Sequence, residues 1–234
     1  NELKVKINKI LGKEGLKYNG TSSISNYLSV LHNDITIDEL NKKIIDHYKD
    51  LKIATHYGCH ALRPSEIMQF DDPVSPSIFD NLVNITGAKS IEWPGKLDCC
   101  GAPVLGINDN LSYDLTEKKL GNAKKAGADF ICVACPWCHM QFDKIQDQIV
   151  SKRNKEYNLP SILYTQLLGL RMGIGKEELG IDSPDNLDNE HLNQVYSKLF
   201  DTEAKKEKKP KKNKSKEKEL IKKKAIKKET QSVE

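Results

Sequence analysis

What this 234-residue sequence lacks narrows its function first. No stretch approaches the roughly 18 to 20 uninterrupted apolar residues that a membrane-spanning helix requires. Short patches such as Ala128–Ala134 are already interrupted, here by Asp129. Positions 1–20 do not read as a secretory leader either: they mix Lys, Asn and Glu with scattered apolar residues and hold no hydrophobic segment. Internal repeats are absent. So is the dispersed cysteine pattern of a small disulfide-stapled fold. All six cysteines fall between positions 59 and 138 of a Lys/Glu/Ile-rich chain, which fits a reducing, cytoplasmic setting and a metal site. The sequence begins at Asn1 rather than Met, which suggests a fragment or a processed product.

The formal net charge of +4 is a poor average. Positions 201–234 hold 14 Lys against 7 acids, leaving 23 bases against 26 acids in positions 1–200. The body is mildly acidic and the positive surplus is a tail. That tail carries no aromatic residue to stack on a base, and acids interleave its lysines. It reads as a solvated, disordered Lys-rich segment, not a nucleic-acid or membrane-surface site, and it is suited to docking an acidic partner protein.

Four zones follow from the patterning: a helical connector (1–50), a cysteine-bearing α/β domain (51–180), a polar extension (181–200) with a short helix at His191–Phe200, and the tail (201–234). In the first, Leu3, Ile7, Ile10 and Leu11 predict a helix. Ser23 or Ser25 is expected to cap a second through Ile24, Tyr27, Leu28 and Leu31. Thr36 with Glu39 reads as a capping box for a third. The second zone alternates strands (Leu51–Tyr57, Lys89–Trp93, Asp129–Ala134) with helices (Ser77–Gly87, Leu115–Ala126, Trp137–Ser151, Ser161–Met172). The helix at 115–126 is expected to expose a Lys/Glu face. The fold class expected is α/β, a small parallel-sheet βαβ domain with N-terminal helices. Sites in such sheets form beyond the carboxyl ends of the strands, where Cys59 and Cys135 fall.

The cysteines form a pattern: Cys59, then 39 residues, the doublet Cys99-Cys100-Gly101, then 34 residues, and Cys135-Pro136-Trp137-Cys138. Thiolates of this kind select zinc, copper(I) or iron–sulfur clusters. Adjacent cysteines in an extended segment point apart, so both reach one site only through a turn, which Gly101 and Pro94-Gly95 permit. A structural zinc site usually shows two C-x2-C pairs or a histidine partner. A redox pair at Cys135/Cys138 leaves the other three unexplained. Both stay open as alternatives, while Cys132, inside a strand, reads as a buried inert thiol.

These residues resemble the cysteine-rich CCG domain family, in particular the second, C-terminal repeat of the B-type subunit of heterodisulfide reductase. The resemblance rests on His56-Tyr57-Gly58-Cys59-His60-x-Leu62-x-Pro64, on Leu97-Asp98-Cys99-Cys100-Gly101-Ala102, on Cys135-Pro136-Trp137-Cys138-His139, and on Leu167-Leu168-Gly169-Leu170. It covers roughly positions 1–180, with the 34-residue gap at the short end for the family and the first repeat absent.

The resemblance implies that Cys59, Cys99, Cys100, Cys135 and Cys138 hold a noncubane [4Fe-4S] cluster. It implies reductive cleavage of a thiol heterodisulfide of the CoM-S-S-CoB type, as in methanogenesis, alongside two other heterodisulfide reductase subunits, one bearing flavin and one bearing further iron–sulfur clusters. The alternatives are an electron-transfer subunit of a glycerol-3-phosphate, lactate or succinate oxidoreductase, and a zinc-binding interaction module. A departing thiolate needs a proton near neutral pH, and His60, next to Cys59, is the first candidate to supply it. His56 and His139 are weaker ones, and Trp137 is expected to shield the cluster.

Overall fold

The computed structural model describes residues 2–181 and 190–200; the tail expected from 201 onward lies outside them. Helix α1 (Glu2–Leu11) forms as its periodicity predicts, yet Leu3, Val5 and Ile10 stay exposed and it buries no residue. The second helix is capped by Asn26, not by Ser23 or Ser25: Asn26 Oδ1 accepts the Leu28 amide at 2.9 Å. Ile24, expected on its inner face, is fully exposed. This α2 (Tyr27–Ser29) runs into a wider turn at Val30–Ile35. Helix α3 (Ile37–Lys43) starts after Thr36, but no capping box forms. The Thr36 side chain makes no cap bond, and Glu39 pairs with Lys42 at 2.5 Å.

Four parallel strands follow in the order β2-β1-β3-β4: β1 (Lys52–His56), β2 (Lys89–Ser90), β3 (Phe130–Val133) and β4 (Ser161–Leu163). Between β1 and β2 lie α4 (Cys59–Leu62), α5 (Ser65–Met68) and α6 (Ile78–Asn84). Helix α7 (Asp109–Lys125) crosses from β2 to β3. Helices α8 (Pro136–Phe142) and α9 (Lys144–Arg153) lead to β4, and α10 (Tyr164–Arg171) and α11 (Glu190–Phe200) close the described chain.

Three elements depart from the sequence reading. Helix α7 begins at Asp109 because Asn108 caps it, its side chain accepting the Leu111 amide at 3.1 Å. The helix expected over Trp137–Ser151 is broken at Asp143, whose backbone (φ −105°, ψ −88°) leaves the helical region. Ser161–Leu163 is an edge strand, paired to β3 through Ile131↔Ser161 and Val133↔Leu163, and only then does the chain turn helical.

Side chains alternate across the sheet. Ile53, Phe130, Cys132 and Ile162 point to one face, where they pack with Phe79, Leu82, Tyr164, Leu167, Val195 and Leu199. Ala54, Ile131 and Val133 point to the other, with Leu120, Ala123 and Phe142 of α7 and α8. Covering both faces is why the strands read as nearly continuous apolar runs. No helix among the described residues is long and apolar enough to cross a membrane.

Candidate metal centre

Three segments reach the carboxyl end of the sheet with sulfur. The first leaves β1 through Gly58, at φ 75°, and enters α4 at Cys59. A Cβ on Gly58 would lie 3.8 Å from Cys138 Sγ and 3.9 Å from Cys135 Cβ, so this turn faces the third segment directly. That third segment starts α8: Cys135 occupies the N-cap, Pro136 fits the first turn where no amide partner is needed, and Cys138 sits inward. The second is the doublet loop. There the Gly101 amide donates to Cys99 Sγ at 3.4 Å, and Gly101 itself takes φ 99°.

Each of the five thiols influences another of the group or is influenced by it. Burial pushes the Cys59 thiol up, and Cys99 and Cys100 push the same way. The Cys138 side chain beside Cys100 holds the Cys100 thiol well below its ordinary range, and the same closeness pushes Cys138 well above it. Cys135 adds to the rise at Cys138. Cys100 and Cys138 are buried; Cys59, Cys99 and Cys135 are half-buried. Cys132 faces the opposite side of the sheet, amid Ile53 and Ile162, and burial alone pushes its thiol up. It does not join the group.

Sequence reasoning placed His56 among the proton donors and overlooked it as a ligand. Fully buried at the end of β1, it stands edge-on to Phe142, ring centroids 5.2 Å apart. Neither ring nitrogen has a hydrogen-bond partner. One of them, with Cys100 Sγ and Cys138 Sγ, forms a set of metal-capable atoms all within 4.8 Å of one another. Burial holds the imidazole neutral and Lys119 pushes the same way, against Cys100. The signal was available: period two puts His56 on the face of Ala54.

His60 is exposed at the rim of a cleft of about 290 Å³ lined by Asn26, Tyr27, Tyr57, Cys59, Ala134 and Cys135. His139 turns away, its Nδ1 2.8 Å from Ser161 Oγ, and lines a separate cavity that no cysteine lines. Trp137 does not cover the sulfurs as expected; it is 66% exposed.

Helix α7 holds the doublet loop by a buried polar stripe; of the Lys/Glu face expected on this helix, Lys118, Lys124 and Lys125 are exposed, but Glu117 and Lys119 are buried. Ser112 Oγ donates to the Gly101 carbonyl at 3.0 Å and Thr116 Oγ1 to the Cys100 carbonyl at 2.9 Å. Gln141 of α8 donates to both hydroxyl oxygens at 2.8 Å, tying the helix that carries Cys138 to the loop that carries Cys100. One turn on, Lys119 Nζ donates to the carbonyls of Asp98, at 2.9 Å, and Gly95. Asn122 Nδ2 reaches the Pro94 carbonyl at 3.1 Å. Spacing i, i+4, i+7 for Ser112, Thr116 and Lys119 marks one helical face.

Cys100 and Cys138 with the His56 imidazole in reach of both, three further thiols on the adjoining segments, and an amide donating to Cys99 Sγ fit a thiophilic metal group. Four ligands complete a tetrahedral zinc site, so a fifth sulfur exceeds what zinc uses.

Comparison with known proteins bears on this group. Residues 53–143 match the cysteine-rich domain called CCG. The B-type subunit of the ferredoxin:CoB-CoM heterodisulfide reductase of Methanosarcina mazei is 38% identical over 198 residues, covering 83% of this chain and 65% of that protein. The 8-methylmenaquinol:fumarate reductase membrane anchor subunit of Wolinella succinogenes is 31% identical, over 76% of this chain and 62% of its own length. The chain therefore spans less than two thirds of these relatives. A solved structure of a hypothetical protein from Helicobacter pylori shares the fold (TM-score 0.50, 18% identity) over 78% of this chain and 32% of that one.

Proposed function

The chain belongs to the CCG cysteine-rich family through residues 53–143, and from that premise we propose that it is an iron–sulfur subunit of a multisubunit reductase. In this reading Cys59, Cys99, Cys100, Cys135 and Cys138 hold a noncubane [4Fe-4S] cluster that serves reductive cleavage of a thiol heterodisulfide of the CoM-S-S-CoB type. Its partners are a flavin-bearing subunit and a further iron–sulfur subunit, and its setting is the reducing cytoplasm. The observation that supports the reading is that three distant cysteine-bearing segments come together at one end of the sheet, Cys59 beside Cys135 and Cys100 beside Cys138.

When bound, such a cluster supplies single electrons and an iron that a substrate sulfur can approach. Cleaving the disulfide takes two electrons and two protons and releases two thiols. The electrons come from the partner subunits. The chain's own part is to place the sulfurs, keep water from Cys100 and Cys138, and receive a thiol half in the cleft beside Cys59. There His60, at the rim, hands a ring N–H proton to the departing thiolate.

A second reading has one observation behind it: His56, Cys100 and Cys138 alone form a compact set suited to zinc. A relay role without a disulfide substrate is a third, since the Wolinella relative is named as a subunit of a fumarate reductase. Anaerobic reconstitution separates them. About four iron and matching acid-labile sulfide per chain support the cluster; stoichiometric zinc without sulfide supports the interaction module. With iron present, a change in the EPR signal on adding a thiol heterodisulfide separates disulfide chemistry from a relay.

A further inference from the structure

A lysine is almost never fully buried without an anionic partner. Lys119 is 1% exposed, yet no carboxylate pairs with it among the described residues. Its direct contacts are two neutral carbonyls, of Gly95 and Asp98, and the face of Trp93, 4.7 Å from Nζ to the ring centroid. The Asp98 carboxylate is half-exposed and already bridged to Lys118 at 3.2 Å. Burial lowers the Lys119 pKa to about 8, and Asp98 with the sulfurs of Cys100, Cys138 and Cys99 act against that by favouring the ammonium. His56, the other titratable group on that side, is held neutral. The interior therefore offers this cation one anionic complement of its own: the cysteine group, once its thiolates carry metal.

We propose that Lys119 is the fixed counter-charge of the metal–thiolate group and raises its reduction potential. This rests on the iron–sulfur reading above. Reduction adds an electron to a group that is already negative. A buried positive charge favours the reduced form in proportion to proximity and to the exclusion of water. The two carbonyl bonds and the Trp93 ring fix the ammonium in place, so its field does not depend on a mobile side chain.

The experiment is an EPR-monitored redox titration of the anaerobically reconstituted full chain as wild type, Lys119→Met and Lys119→Arg, after iron and sulfide analysis of each. Lys119→Met keeps the apolar stem and removes the charge. It is expected to load iron and to titrate at a lower potential than wild type, with Lys119→Arg restoring most of the shift. An iron-loaded Lys119→Met with an unmoved midpoint overturns the proposal and leaves the cluster reading standing. A wild-type chain that takes up zinc and no iron overturns both, at the metal analysis. If Lys119→Met and Lys119→Gln fail to load while Lys119→Arg loads at the wild-type potential, the charge requirement is upheld. Loss of loading in all three assigns Lys119 to packing and overturns it.

Discussion

A Cβ on Gly101 would lie 2.5 Å from the carbonyl oxygen of Ser112. Helix α7 thus runs against the backbone of the doublet loop with no room for a side chain, and φ 99° at Gly101 disfavours one in any case. The third letter of the CCG pattern follows from this contact: glycine lets the loop sit close enough for Ser112 and Thr116 to reach its carbonyls.

Gly101→Ala is therefore expected to force the loop off α7 and displace Cys100. Unfolding free energy should fall by about 1–3 kcal/mol, as for other side chains held in this backbone region, and iron per chain should fall with it. Thermal unfolding and metal analysis read both. An unchanged melting curve with full loading would show that the helix can give way.

The two faces of the sheet set a hierarchy among the cysteines. Cys100→Ser and Cys138→Ser should lose or convert the metal group, since both sulfurs lie in its buried centre. Cys132→Ala should keep it, at a cost of about 1 kcal/mol for lost buried volume. Equal loss of iron in Cys132→Ala and Cys100→Ser would contradict the assignment.

His56 makes the metal-free chain sensitive to acid. Burial lowers its pKa below the unfolded value near 6.5. The unfolded state then binds a proton that the folded state refuses, so stability is full above that pH and lost as pH falls toward the folded pKa. The slope for one proton is at most about 1.4 kcal/mol per pH unit. Urea midpoints at pH 7 and pH 5 should lie further apart in wild type than in His56→Gln; an equal gap would remove His56 as the cause.

His60 is testable only in the complete assembly. His60→Gln should slow turnover while leaving the cluster spectrum unchanged, because the ring stands at the cleft rim. Unaltered turnover would take it out of the mechanism without touching the cysteine group.

The strands β1 and β3 were legible because each is a β-rich run that stops next to a cysteine. Strand β4 was not: Ser161, Ile162 and Leu163 run into α10 without a turn residue, and only pairing with β3 makes them extended. Charge misled at α7. Glu117 and Lys119 look like solvent residues, yet both are buried, because Arg153 meets Glu117 at 2.6 Å and loop carbonyls meet Lys119. Those partners are distant in sequence, so no local pattern announces them. Asp143 breaks a helix with neither Gly nor Pro to mark it. The family resemblance singled out the five thiols, while the hydroxyl and amide scaffold behind the doublet loop came from tertiary contact alone.

The sheet also decides which thiols stand together. The Lys52 amide donates to Asp129 Oδ2 across 77 positions of sequence, and β1 pairs with β3 over the same separation. The loops that follow these two strands carry Cys59 and Cys135, so the pairing sets those thiols side by side. A zinc finger gathers nearby ligands around its ion and folds as it binds. Here the sulfur-bearing loops are gathered by strands paired across 77 positions of sequence, so their grouping is a property of the whole sheet and not of ligands close together in the chain.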